Sequence, residues 1–181
     1  MVSPPSSLEA LRSAIRSVPD FPKKGIVFRD ITTLWKDARH LQSAVEYLAA
    51  PYRSKAVAKV VCIEARGFIL GGAIAQALGA GFVPVRKRGK LPAETLRQEY
   101  ALEYGTDAVE IHRDAIATGE RVLVHDDLLA TGGTARAACR LVESLGGRVV
   151  GVSFLVELSF LGGRKQLQGY DVVSLIDYDA E

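Results

Sequence analysis

Short runs of apolar residues alternate with amphipathic segments along most of this chain. The runs are rich in β-branched residues, which predicts buried strands, and they cover residues 57–63, 82–85, 122–124, 149–156 and 172–176. Two segments between them, 68–78 and 135–145, repeat apolar residues at the spacing of one helical face. The chain is therefore predicted to alternate strands and helices.

This alternation favours one fold class. Strand–helix–strand units build a mainly parallel sheet with helices on both faces, so we expect an α/β fold. No linker or internal repeat divides the 181 residues, which predicts one domain. In such open sheets the ligand site lies at the carboxyl ends of the strands.

Charge adds a clue about the ligand. The formal net charge is only +2, which argues against a general nucleic-acid surface. Basic residues nevertheless concentrate at Arg86, Lys87, Arg88 and Lys90, which suggests a small polyanionic ligand. The alternative is a solvated basic edge.

The two cysteines, Cys62 and Cys139, lie in apolar segments without a metal-ligand spacing. We expect both to be buried free thiols. The polar start of the chain resembles no signal peptide, and no apolar run approaches the length of a membrane span. A cytoplasmic protein without membrane contact is expected.

The segment 122–134 carries the most specific chemistry. An apolar strand leads through two acids into a turn of small residues at a predicted helix start, where free amide groups and the helix dipole favour an anion. The residues predicted to cradle this anion, a phosphate, are Ala130, Thr131, Gly132, Gly133 and Thr134. A plain helix cap is the alternative; a Walker loop is disfavoured because the turn contains no lysine.

The acids before this turn, Asp126 and Asp127, can accept hydrogen bonds from vicinal hydroxyls and can attract magnesium. Acids for a diol beside amides for a phosphate describe a receptor for a ribose 5-phosphate unit. A second loop, Glu64, Ala65, Arg66 and Gly67, also delivers small residues and a charge to a helix start. It is predicted to hold a second anion, with an ordinary strand-to-helix turn as the alternative.

Four ordered blocks carry a family resemblance: FPKKGIVFRDIT, EARGF, VRKRGKLP with the following LEYG, and HDDLLATGGT. The last block resembles the phosphoribosyl-pyrophosphate (PRPP) signature of type I phosphoribosyltransferases, and residues 18–178 resemble the adenine-specific members of that family. The resemblance implies the type I phosphoribosyltransferase fold, with a small N-terminal hood near residues 1–34 and an α/β core over 35–181.

The resemblance also implies roles in handling pyrophosphate. Glu64, Ala65 and Arg66 would bind it, with a cis peptide between Glu64 and Ala65. A basic group would neutralise it as it departs, and one residue of 86–90 would reach the neighbouring subunit's site, which implies a homodimer. That group consists of Arg86, Lys87 and Lys90.

The resemblance further implies a lid near 91–105 that excludes water from the reacting groups. Glu103 would act as general acid/base on the purine, with Tyr104 and Arg66 completing the catalytic set. Taken alone, Glu103 would be read as a solvated surface acid.

The family resemblance assigns selection of the purine base to the N-terminal hood. Val27 and Arg29 would read adenine through backbone groups, while Phe28 and Leu128 would sandwich the ring. Without the resemblance, Val27 and Phe28 would be read as core residues. His125 departs from the family pattern, which generally has an apolar residue there, and we expect a structural role for it.

The expected activity is conversion of adenine and PRPP to AMP and pyrophosphate with Mg²⁺, in purine salvage. Two alternatives stay open: a transferase for a 6-oxopurine, and a PRPP or purine sensor without turnover. The chain shows no additional helix-turn-helix segment of the kind that a transcription regulator would carry.

Overall fold

The computed structural model describes residues 5–101 and 106–180. A seven-stranded sheet with the order β5-β6-β4-β3-β7-β8-β9 forms its centre. These strands are β3 (Lys59–Ile63), β4 (Gly81–Lys87), β5 (Thr95–Ala101), β6 (Thr106–His112), β7 (Arg121–Leu129), β8 (Arg148–Leu158) and β9 (Val172–Tyr178). The run from β4 to β9 is parallel, and the β5–β6 hairpin adds an antiparallel edge.

Helices cover both faces of the sheet, as the alternating pattern predicted. The helices are α1 (Leu8–Ala14), α2 (Thr32–Trp35), α3 (Ala38–Ala49), α4 (Gly67–Leu78) and α5 (Gly133–Ser144). One hydrophobic cluster lies under α3 and α4, and a second lies under α5. The α/β fold class is therefore confirmed.

Helix α4 packs unusually close to the sheet. A β-carbon on Gly71 would collide with the sulfur of Cys62 in β3, so only glycine allows this approach. The helix ends at Gly79, whose φ of 65° gives the left-handed conformation typical of a helix C-terminus. Close packing at α4 holds the loop that precedes it, 64–66, against the end of β7.

The observed elements differ from the predicted ones mainly at their ends. Strand β7 runs on to Leu129, so the acid pair lies inside the strand and not after it. Its neighbour β8 is 11 residues long, and pairing with it continues to Leu129, which extends β7 beyond its apolar run. Helices α4 and α5 begin one and two residues earlier than predicted.

The segment predicted to be a lid contains regular structure. Strand β5 occupies Thr95–Ala101 and pairs with β6 through the whole register from Thr95↔His112 to Ala101↔Thr106. Mixed polarity concealed this strand, because it forms an exposed sheet edge with alternating charged side chains.

The N-terminal part forms a separate hairpin of β1 (Arg16–Pro19) and β2 (Val27–Asp30). Arg12 ties α1 to β9 by donating to the carbonyl of Asp177 over 2.6 Å. This attachment places the hairpin at the end of the sheet where β9 and β7 terminate.

Candidate active site

The predicted phosphate loop connects β7 to α5. Gly132 has a φ of 83° and immediately precedes the helix, and no side chain caps the first turn of α5. The first amide groups of α5 therefore have no internal acceptor and point toward the loop. A cavity of about 80 Å³ lies here, lined by Asp126, Leu128 and residues of the loop that include Thr131 and Thr134. Its size and donors suit a phosphate group.

The acid pair differs in exposure between its two members. Asp127 is buried and Asp126 is half-buried, and Oδ1 of Asp126 accepts the amide of Asp127 over 2.9 Å. Burial raises the pKa of Asp126, and the neighbouring carboxylate of Asp127 raises it further. Burial also raises the pKa of Asp127, although the nearby Arg66 opposes this. Two acids held this way favour a ligand that brings hydroxyl donors or positive charge.

Arg66 lies between the acid pair and the hood. Its Nε is 2.9 Å from Oδ2 of Asp127, yet this oxygen receives no aligned hydrogen bond from the described residues. The guanidinium also lies over the ring of Phe28, 5.5 Å from its centroid. One predicted catalytic residue thus joins the predicted pyrophosphate, ribose and base regions.

The Glu64–Ala65 peptide is cis, as the family resemblance implied. The side chain of Glu64 faces the basic cluster. Its carboxylate accepts a hydrogen bond from Nε of Arg86 over 2.7 Å and another from the amide of Lys87 over 2.9 Å. Although burial opposes the effect, these two hydrogen bonds lower the pKa of Glu64. A carboxylate held in this way positions Arg86, so contact between this loop and an anion is left to backbone groups and Arg66.

The β5–β6 hairpin approaches both predicted anion sites. Lys87 Nζ lies 3.3 Å from Oδ2 of Asp107, and the Tyr100 hydroxyl donates to the same oxygen over 3.3 Å. Tyr100 also lines a cavity of about 270 Å³ together with Thr131 and Gly133 of the phosphate loop. The predicted residues Glu103 and Tyr104 lie outside the described residues.

The predicted base site lies on β2. Val27, Phe28 and Arg29 are all half-buried, so Val27 and Phe28 are not the core residues that their sequence alone suggested. Phe21 packs edge-on against Phe28 with ring centroids 5.2 Å apart. The Arg29 side chain donates to Ser17 Oγ over 2.6 Å and covers the Tyr178 ring, so it is already engaged within the protein.

His125 is fully buried beside the acid pair. Its Nδ1 lies 2.9 Å from Oγ of Ser153, and burial lowers its pKa to about 3. The ring is therefore neutral at physiological pH, and the structural role expected for it agrees with this environment.

Comparisons with known proteins agree with this geometry. The phosphoribosyl transferase domain family matches residues 36–177. An adenine phosphoribosyltransferase of Solibacter usitatus is 60% identical over 169 residues, which cover 93% of this chain and 98% of the relative. The chain belongs to the adenine phosphoribosyltransferase family.

Solved structures of the family share its fold. The adenine phosphoribosyltransferase of Thermoanaerobacter pseudethanolicus superimposes with a TM-score of 0.92 at 56% identity, covering 95% of this chain and 100% of the other. The Saccharomyces cerevisiae adenine phosphoribosyltransferase, solved with an imino-altritol bisphosphate and adenine, gives 0.88 at 38% identity, with 93% and 97% covered. The predicted family and type I phosphoribosyltransferase fold are confirmed.

Sequence reasoning missed two features of this adenine phosphoribosyltransferase site. It did not identify Tyr100, which lies in the segment interpreted as a lid, or Asp107, which follows that segment in β6. It also did not predict the ion pair between Arg66, which lies just before α4, and Asp127, which lies in β7. Within the described ranges no helix is long and apolar enough to cross a membrane.

Proposed function

We propose that this chain transfers the 5-phosphoribosyl group of PRPP to N9 of adenine, giving AMP and pyrophosphate in purine salvage. The observation that carries the proposal is the order of groups along β7 and α5: an acid pair, with Asp126 half-buried and Asp127 buried, and after it an uncapped helix start. Family membership supports the same reaction.

In this proposal Asp126 and Asp127 accept hydrogen bonds from the ribose hydroxyls, while the loop from Ala130 to Thr134 binds the 5-phosphate. The ligand's hydroxyl donors offset the desolvation cost of the two charged carboxylates, and the raised pKa of each reflects that cost. The loop donates mainly backbone amides, which are already oriented before the phosphate arrives. Together they fix the ribose for attack at its anomeric carbon.

Pyrophosphate leaves toward Arg66, the backbone of Glu64 and Ala65, and the basic residues Arg86, Lys87 and Lys90. Negative charge grows on the leaving group as the glycosidic bond breaks, so cations here stabilise the transition state more than bound PRPP. Glu64 contributes indirectly because it fixes the guanidinium of Arg86.

Adenine binds between Phe28 and Leu128, with the backbone of Val27 and Arg29 reading its ring nitrogen and amino group. A 6-oxopurine reverses this donor pattern and leaves buried groups unpaired, at about 1–3 kcal/mol for each group. By family resemblance, Glu103 would exchange a proton with N7 while N9 attacks, and Tyr104 would complete the catalytic set.

The acid pair also fits Mg²⁺. Asp127 Oδ2 receives no aligned hydrogen bond from the described residues, and protein sites often hold this ion through one or two carboxylates plus substrate oxygens. Nowhere in the described parts of the chain do three or more candidate ligand side chains converge, which suits a metal held mainly by substrate. Asp126 and Asp127 would hold it with the ribose hydroxyls, and it would neutralise pyrophosphate charge.

We also propose a cytoplasmic homodimer in which a basic residue of 86–90 completes the neighbouring site. Lys87, Arg88 and Lys90 are exposed in the single chain, which supports a reach beyond it.

The test is a panel of adenine, hypoxanthine, guanine and xanthine, each incubated with PRPP in the presence and absence of Mg²⁺. AMP formation from adenine alone, dependent on Mg²⁺, is expected. Product from a 6-oxopurine would assign the alternative transferase, and intact PRPP binding without any product would assign the sensor. Glu103→Gln should lower kcat strongly, and unchanged turnover would remove Glu103 from proton transfer.

A further inference from the structure

A turn behind the phosphate loop supports it from outside the ligand cavity. This turn follows β8 and contains a short 3₁₀ helix, Gly163–Leu167. A β-carbon on Gly132 would collide with the carbonyl oxygen of Gly163, and one on Gly163 would collide with the carbonyl oxygen of Ala130. The two backbones are therefore in direct contact, so the position of the turn fixes that of the loop.

An ion pair between the half-exposed side chain of Arg164 and the buried carboxylate of Glu157 holds the start of this turn. Arg164 donates through Nε to both carboxylate oxygens of Glu157, over 2.8 and 3.0 Å, and through Nη2 to Oε2 over 2.7 Å. The Glu157 side chain is only 5% exposed. Bidentate pairing of this kind fixes orientation as well as distance.

Further contacts attach the same guanidinium to β9. Arg164 donates to the carbonyl of Val172 over 3.0 Å and to Oγ of Ser174 over 2.9 Å. Ser174 in turn donates to Oε2 of Glu157 over 2.6 Å. The start of the turn is thus tied to two adjacent strands of the central sheet.

The other end of the turn is tied to α5 and the core. Arg136, in the first turn of α5, donates to the carbonyl of Gln166 over 2.5 Å. Leu167 is buried in the hydrophobic cluster under α5. Because both ends are anchored, the Gly163 backbone forms a fixed wall behind Ala130 and Gly132.

We propose that Glu157 and Arg164 are positioning residues for 5-phosphate binding. Their ion pair holds the Gly163 backbone against the phosphate loop, so that the loop amides are oriented before the ligand binds. Neither residue lines the loop cavity, so both act through the backbone of the turn. This inference rests on the proposed function, since it assigns the anion to the 5-phosphate of the substrate.

The test compares Arg164→Met, Arg164→Lys and Glu157→Gln with the unaltered full chain. Arg164→Met should raise KM for PRPP and the Kd of ribose 5-phosphate by about tenfold, while kcat and the Kd of adenine change less than about threefold. Arg164→Lys should be intermediate, because an ammonium group cannot make the bidentate contact. Isothermal titration with ribose 5-phosphate and with adenine measures both affinities.

A double variant, Glu157→Gln with Arg164→Met, tests whether the two residues act as a unit. Its KM for PRPP should match that of the single Arg164→Met variant, because the contact is already lost. Arg53→Met is the matched control: Arg53 also combines an ion pair, with Glu46, and a carbonyl contact, but far from the loop. Its KM for PRPP should not change.

Two results would overturn the inference. One is an unchanged Kd of ribose 5-phosphate in folded Arg164 variants; the other is equal weakening of ribose 5-phosphate and adenine binding, which would indicate general loosening. If Arg164→Met does not fold, Arg164→Lys decides the question. If the unaltered chain itself fails to bind ribose 5-phosphate, the proposed function fails instead.

Discussion

The two proposed anion sites of this molecule are built in opposite ways. The phosphate loop is a continuous stretch of backbone, fixed by a strand, a helix and the turn behind it. The pyrophosphate side consists of long side chains from separate elements: Lys87 is 62% exposed and its partner Asp107 is 29% exposed, whereas the Asp127 side chain is 7% exposed.

This difference suggests a division of roles. The 5-phosphate remains attached to the ribose throughout the reaction, so a rigid backbone cradle suits it. Pyrophosphate must bind as part of PRPP and then leave, and exposed side chains that already have protein partners can exchange those partners at little cost. Substitutions on the two sides should therefore have very different consequences.

The largest expected effect is from Gly132→Ala on the rigid side. The new methyl group meets the Gly163 carbonyl, and the backbone at φ 83° is unfavourable for alanine. We expect kcat/KM for PRPP to fall by about 100-fold, since misplaced loop amides no longer converge on the phosphate.

Gly119→Ala is the control for this variant. Gly119 has a φ of 84° with nothing within 4 Å of an added β-carbon, so this substitution imposes similar backbone strain without the collision. It should cost about 1 kcal/mol of stability and leave kcat/KM unchanged. Equal activity losses in both variants would contradict the role of the collision.

The second effect, Asp126→Asn, should separate binding from stability. Burial and Asp127 raise the pKa of Asp126, so the ionised acid costs folding free energy at neutral pH, and that cost disappears as the pH falls below its pKa. We expect the unfolding free energy at pH 7.5 to rise by about 1 kcal/mol while kcat/KM for PRPP falls by about tenfold or more.

Urea unfolding at pH 7.5 and at pH 4.5 tests the stability part of this prediction. The stabilisation should shrink at the lower pH, because the unaltered acid is then closer to neutral. A variant that is less stable than the unaltered protein at pH 7.5 would show that the carboxylate is not a source of strain. Asp171→Asn, at an exposed ion pair with Lys55, is the control.

A smaller effect is expected for Asp107→Asn on the exposed side. Asp107 raises the pKa of Lys87 through a hydrogen bond, and in the proposed site it would compete with pyrophosphate for that lysine. Removing the carboxylate should lower KM for PRPP by no more than about threefold, a difference that added salt should diminish. A loss as large as that of Gly132→Ala would refute the division between rigid and adaptable sides.

The smallest effect on catalysis is expected for His125→Val. The pKa of His125 is lowered to about 3 from 6.5, so the folded state loses stability as the pH falls through that window. Between pH 7 and pH 5 this residue should account for at most about 2 kcal/mol of lost unfolding free energy. The unfolding free energy of the variant should therefore fall less steeply than that of the unaltered protein as the pH is lowered. Turnover near pH 7.5 should change less than about threefold; a large loss would assign His125 a role in the reaction.

The sequence predicted the order of β7, the loop after it and α5 well because strand, acids, turn and helix follow one another within 13 residues. The alternation of apolar runs likewise predicted the parallel sheet. Both are local signals, in which the spacing of neighbouring residues carries the structure.

Other features depended on residues far apart in the chain. Pairing of β5 with β6 created a strand from a polar segment, and pairing with β8 extended β7 beyond its apolar run. The contacts of Arg66 with Asp127 and of Glu64 with Arg86 join the loop after β3 to strands β7 and β4. The spacing of apolar residues along the chain carries no information about such contacts, because they form only when the sheet brings distant strand ends together.

The close packing of Gly71 against Cys62 can be used in a labelling experiment. Burial raises the pKa of both thiols, that of Cys139 to about 12, and each side chain is shielded from solvent. Maleimide reagents require an accessible thiolate, so neither cysteine of the folded protein should react with them. A cysteine introduced by Glu99→Cys, at an exposed position of the hairpin, would then be a unique attachment point for a fluorophore. The emission of that fluorophore would show whether the hairpin moves during turnover.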